Sequence, residues 1–79
     1  HLDFLDKYYA ENIFLASGRQ IPMTGGIILA RAPSRNYLWE VLKQDPFYTE
    51  HLAEYQIFEF EPNKNAAALD LLMNELKAV

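Results

Sequence analysis

Apolar residues recur at helical spacing from the start of the chain. Leu2, Leu5 and Tyr9 fall on one face, with Tyr8 beside them, and predict a helix over residues 1–11. Asn12 suits a left-handed stop after it. The pattern then changes to the unbroken apolar run Ile13-Phe14-Leu15-Ala16-Ser17, a short strand. Residues 18–26, with Pro22 and the pair Gly25-Gly26, read as a loop. Ile27-Ile28-Leu29-Ala30-Arg31 reads as a second strand, antiparallel to the first. Pro33-Ser34 opens the next helix, with Ser34 as its cap. Leu38, Val41 and Leu42 form the inner face of that helix, flanked by Tyr37 and Trp39. Pro46 disfavours helical geometry at the residue before it and suits the first position of a new helix. Asp45 is therefore expected at a corner, capping a short helix over 46–52. A third strand is predicted over 54–61 and ends at Pro62. Asn63 or Asn65 then caps a last helix, on which Leu69, Leu72, Met73 and Leu76 follow the i, i+3, i+4, i+7 pattern.

The order is helix, strand, strand, helix, strand, helix. One further strand in front makes it βαββαβ, a ferredoxin-like α+β fold whose antiparallel sheet carries its helices on one face. In that arrangement the first strand lies between the third and the fourth. Without it the 54–61 strand has no neighbour for its backbone groups. The expectation is that a first strand is missing from this chain, a swapped strand being the other option. Ile13 and Leu15 oppose Phe14 and Ala16 across the first strand, and Ile27 and Leu29 oppose Ile28 and Ala30 across the second. Both faces of the hairpin are apolar, so both are expected to be buried. Two helices cover one face; a second copy in a two-fold homodimer is the simplest cover for the other. Residues 1–62 form the expected domain, and 63–79 a C-terminal helical extension.

Composition narrows the function. A chain of 79 residues makes one small domain with little core of its own, and association would help it. Hydrophobic residues make up 51% and aromatic residues 14%, which excludes a disordered chain. The net charge of −4 comes from interspersed charges with no basic stripe, so nucleic acid is not an expected partner. The absence of cysteine excludes disulfides and thiolate chemistry and fits a reducing compartment. No apolar run approaches the roughly 20 residues that span a bilayer. No signal peptide is evident. A soluble, cytoplasmic protein without membrane contact is the expectation.

The expected topology gathers polar groups at one edge of the sheet. His1, Ser17-Gly18, Thr24-Gly25-Gly26 and Asp45 converge there, though far apart in sequence. A carboxylate beside a histidine fixes the imidazole tautomer and stabilises the imidazolium, the usual acid–base pair. Asp45 as a plain helix cap is compatible with that role. Backbone N–H groups at Gly18, Gly25 and Gly26 allow close approach of a ligand, and Arg19 suits an anionic group. Ser17 reads as a hydrogen-bonding strand end rather than a nucleophile, since no nucleophile-elbow pattern surrounds it. His51 reads as a surface residue. A copper site at His1 lacks a second histidine at suitable spacing, so neither a metal nor an organic cofactor is expected.

The ordered set His1-Leu2-x-x-Leu5, Asn12-Ile13-Phe14-Leu15-Ala16-Ser17-Gly18, Gly25-Gly26-Ile27-Ile28-Leu29, Asp45-Pro46-Phe47 and Tyr55-x-Ile57-x-Glu59-Phe60 resembles the YCII-related (YciI-like) proteins. The resemblance covers residues 1 to about 62. It implies a ferredoxin-like domain paired with facing sheets into a dimeric α+β barrel, with a strand upstream of the histidine. It also implies a His–Asp site at His1 and Asp45, and it matches Ser17-Gly18 to the start of a Ser-Gly-Pro motif. Arg19 departs from that motif, standing where proline is usual. One relative removes chloride from chlorinated hydroxyquinols, and related barrels include lactone isomerases. The expected activity is therefore proton abstraction with elimination or isomerisation on a small molecule, without a cofactor. A non-catalytic domain binding a small ligand in the same cleft is the alternative.

Overall fold

Two rings one helical turn apart decide how the first helix lies. The computed structural model describes residues 1–77, and its first helix, α1, is Leu2–Ala10. Phe4 and Tyr8 are its buried residues, and both pack on Phe14, at ring-centroid distances of 5.6 and 5.5 Å. The expected face of Leu2, Leu5 and Tyr9 is therefore corrected. Leu2 is 73% exposed, while Leu5 and Tyr9 pack at the margin of the core. Burying the larger aromatic pair removes more apolar area from water. The end of α1 matches the expectation at Asn12, which has a φ of 57°. The Asn12 N–H donates to the Tyr9 carbonyl and the Ile13 N–H to the Tyr8 carbonyl, each at 3.0 Å. This crossed pair satisfies the last carbonyls and turns the chain into the sheet.

The hairpin forms as expected. Strand β1, Phe14–Arg19, pairs antiparallel with β2, Gly26–Ala30. Ala16 faces Leu29, Ser17 faces Ile28 and Gly18 faces Ile27, with an irregularity between Phe14 and Ala16. The ladder runs past Ser17, so Gly18, Arg19 and Gly26 belong to strands and the loop shrinks to 20–25. Phe14 is 1% exposed at the centre of the core, with Ile28 and Ala30 packed near it. The other face stays open in the single chain, with Ile27 and Leu29 at least half exposed.

Ser34 caps helix α2, Arg35–Leu42, by accepting from the Tyr37 N–H at 3.0 Å. Val41 and Leu42 are buried and Leu38 packs beside them, as the periodicity requires. Helix α3 is the single turn Pro46–Thr49, shorter than the expected 46–52.

The largest correction concerns residues 54–61. They form no strand, and the sheet among the described residues has two strands in the order β1-β2. The ferredoxin-like sheet is overturned with them. So is the dimeric α+β barrel, because the sheet is open and not closed into a barrel. What stands is an α+β fold of one two-stranded antiparallel sheet and helices. The segment keeps the two-residue rhythm of a strand at its start: Tyr55 and Ile57 are partly buried while Gln56 and Phe58 are exposed. Alternation specifies which side chains turn inward, but a strand also needs a neighbour for its backbone groups. Instead, the Ile57 carbonyl accepts from Arg35 Nη2 at 3.0 Å.

The last described residues form a 3₁₀ turn, Ala67–Leu69, and helix α4, Asp70–Lys77. Neither Asn63 nor Asn65 caps the 3₁₀ turn that leads into α4; Ala66 takes that position without a side-chain bond. Asn65 Nδ2 instead donates to Asp70 Oδ1 at 2.6 Å. Leu69 is 45% exposed, Leu72 and Met73 are partly buried, and the side chain of Leu76 lies outside the described residues. Among the described residues no helix is long and apolar enough to cross a membrane.

Candidate active site

The corner between α2 and α3 makes the site. Helix α2 ends at Leu42, and the Asp45 N–H closes the turn on the Leu42 carbonyl at 3.1 Å. Pro46 at the first position of α3 keeps Asp45 extended, with φ −68° and ψ 122°. In that conformation Asp45 Oδ1 accepts from the Phe47 N–H at 3.0 Å. The expected cap is thus present.

A cap alone does not explain the rest. Asp45 is 0% exposed and is the buried charged side chain among the described residues. Its Oδ1 also meets His1 Nδ1 at 2.8 Å, across 44 positions of sequence. Its Oδ2 accepts from the Tyr55 hydroxyl. A carboxylate sealed from water is costly unless each oxygen has donors; here Oδ1 has two and Oδ2 has one. No buried side-chain nitrogen or oxygen among the described residues lacks a partner.

This arrangement assigns the protons. A carboxylate that is ionised only accepts, so opposite one His1 Nδ1 carries the hydrogen, and Nε2 carries the lone pair whenever the ring is neutral. The imidazole plane is set independently by Phe47, whose ring stacks on it at 4.0 Å between centroids with a 2° tilt. Phe4 lies on a second approach at 6.4 Å. The His1 side chain keeps 27% of its surface, whereas that of Asp45 keeps 1%. The histidine is reachable and its carboxylate is not. Burial is the main cause that pushes the Tyr55 phenol well above its ordinary value of 10.0, followed by the hydrogen bond to Asp45 and that residue's charge. Tyr55 therefore stays protonated and stays a donor.

The structure brings together two of the sequence-predicted residues, His1 and Asp45. It does not join the others to them. Ser17 Oγ pairs with the Tyr9 hydroxyl. Gly18 and Arg19 face Ile27 and Gly26 in the ladder, and the Gly25 carbonyl accepts from the Gln20 N–H at 2.8 Å. Among the described residues no hydrogen bond, ion pair or ring contact links Ser17, Gly18, Arg19, Gly25 or Gly26 to the pair. His51 is exposed, as expected, and lines a cleft of about 260 Å³ with Tyr48, Ala53 and Glu54.

Phe47 and Tyr55 stand in the motifs quoted from the sequence, but neither was given a role at the site. Phe47 carried a usable signal: a cap residue bonds the N–H two positions on, which places that residue's ring beside whatever the cap binds. Tyr55 carried its place in an alternating run and in the motif Tyr55-x-Ile57-x-Glu59-Phe60, neither of which points to Asp45.

The model of the YCII-related domain family matches residues 1–61. No curated protein and no solved structure matches the chain.

Proposed function

The chain belongs to the YCII-related domain family, and from that premise we propose that it is a small-molecule enzyme in which His1 is the general base. Asp45 holds His1 Nδ1–H and presents Nε2 to substrate. The observation that carries this reading is the 2.8 Å contact between an accessible imidazole and a buried carboxylate. In the reaction, the Nε2 lone pair takes a proton from a carbon made acidic by a neighbouring carbonyl, such as that of the keto form of a hydroxylated ring. The imidazolium that forms is stabilised by the Asp45 charge next to it. The electron pair left on carbon moves into a new double bond. It then either expels a leaving group such as chloride, which is elimination, or collects a proton at another carbon from Nε2–H, which is isomerisation. Atoms and electrons balance without an oxidant.

The test is a screen of hydroxylated chloroaromatics and lactones with the native chain, His1→Ala and Asp45→Asn. Turnover is expected for the native chain, with a loss of about 10²–10⁴-fold in kcat for either variant, the range of a general base. Turnover that survives both changes removes the pair from the mechanism. Binding without turnover, sensitive to the same variants, favours a ligand-binding domain instead.

A further inference from the structure

Asp45 has two oxygens, and only one faces the histidine. We infer that Tyr55 is a positioning residue: its hydroxyl holds Asp45 Oδ2 so that Oδ1 is the oxygen presented to His1 Nδ1. This deepens the reading of His1 as a base and rests on it.

The geometry supports the assignment from three sides. First, Asp45 Oδ1 is already fixed by the Phe47 N–H, but a single backbone bond leaves the carboxylate free to rotate about it. The Tyr55 bond to the opposite oxygen removes that rotation. Second, Tyr55 is itself held. Its ring meets Tyr48 at 6.0 Å, and Tyr48 in turn meets Trp39 at 6.3 Å. An aromatic chain therefore connects α2 and α3 to the hydroxyl. Third, Tyr55 lies on a segment without secondary structure, 53–66. Arg35 ties that segment down near the tyrosine, through the Ile57 carbonyl at 3.0 Å and Glu59 at 3.5 Å. A phenol raised by burial remains a donor over the whole range in which an imidazole works as a base. The segment that the fold left out of the sheet thus supplies the third member of the site.

The experiment reads the proton between His1 and Asp45 by NMR, so it needs no substrate. In the native chain the Nδ1–H is expected as a downfield resonance protected from exchange with water. Tyr55→Phe keeps the ring and removes the donor, and is expected to speed exchange of that proton roughly tenfold, as losing one hydrogen bond to a charged group implies. Tyr48→Phe, a control that removes a hydroxyl from the adjacent ring, is expected to leave the rate unchanged. Replacing Tyr55 with 4-aminophenylalanine restores an N–H donor on the same ring and is expected to restore most of the protection. A merely structural role for Tyr55 predicts no such rescue. If Tyr55→Phe does not fold, O-methyltyrosine at position 55, which keeps the ring and the oxygen but has no hydrogen to donate, carries the test: fast exchange is expected, and the native rate overturns the inference. Native exchange in Tyr55→Phe overturns the role of Tyr55 and leaves the pair intact. Absence of the resonance from the native chain overturns the pair and the inference together.

Discussion

The two ends of the polar machinery are built in opposite ways. Around Asp45 both carboxylate oxygens are spoken for: they take a backbone N–H, an imidazole and a phenol, each from a different stretch of chain. Around the hairpin loop, Ser17, Gly18, Arg19, Gly25 and Gly26 are exposed, and their bonds run locally along the ladder or to the preceding helix. The first region joins one contact across 44 positions of sequence to two made within ten positions of Asp45. The second is held by strand pairing, which tolerates change at the exposed positions. Chemistry that needs fixed geometry belongs in the first.

The hardest blow to this contrast is Asp45→Ala. It removes the α3 cap, worth about 1 kcal/mol, and strands the Tyr55 hydroxyl, at a further cost of about 1–3 kcal/mol. A total near 3 kcal/mol is expected in urea unfolding. A loss under 1 kcal/mol means that the carboxylate is not the node of its region.

Alkaline pH is a gentler probe of the same node. The folded Tyr55 phenol titrates above its unfolded value, so it binds a proton that the unfolded chain gives up first. Its contribution to stability is complete below about pH 10 and declines as the pH rises from there through the folded value. Unfolding followed against pH is expected to show this decline in the native chain and a shallower one in Tyr55→Phe. Equal slopes separate Tyr55 from the node.

The smallest effect is expected at the hairpin. A methyl group added at Gly18 meets nothing within 4 Å, so Gly18→Ala should change stability by less than about 0.5 kcal/mol. In the substrate screen the same variant should retain turnover. Loss of turnover with stability kept would bring the loop into the site and break the contrast.

Much of the local structure was legible in the residues. The Ser34 and Asp45 caps, the left-handed Asn12 and the antiparallel hairpin all follow from short-range chemistry: a side-chain oxygen near free N–H groups, a proline next door, an apolar run between turns. The pairing of His1 with Asp45 was also anticipated, but from a topology that did not form. Helices α1 and α2 pack on Phe14 and its neighbours without the third strand, and that packing suffices to bring residue 1 to residue 45.

Sequence alone determined that the chain turns at Asn12, that Ser34 and Asp45 open helices, and that this aspartate would sit at a corner. These are decisions made within a few residues, where backbone sterics and nearby hydrogen bonds act. Only the tertiary structure decided that Phe4 rather than Leu2 turns inward, that 54–61 stays outside the sheet, and that Tyr55 reaches Asp45. Those outcomes depend on which distant surface is available as a partner, and an alternating pattern records a preference for burial without naming the surface that provides it.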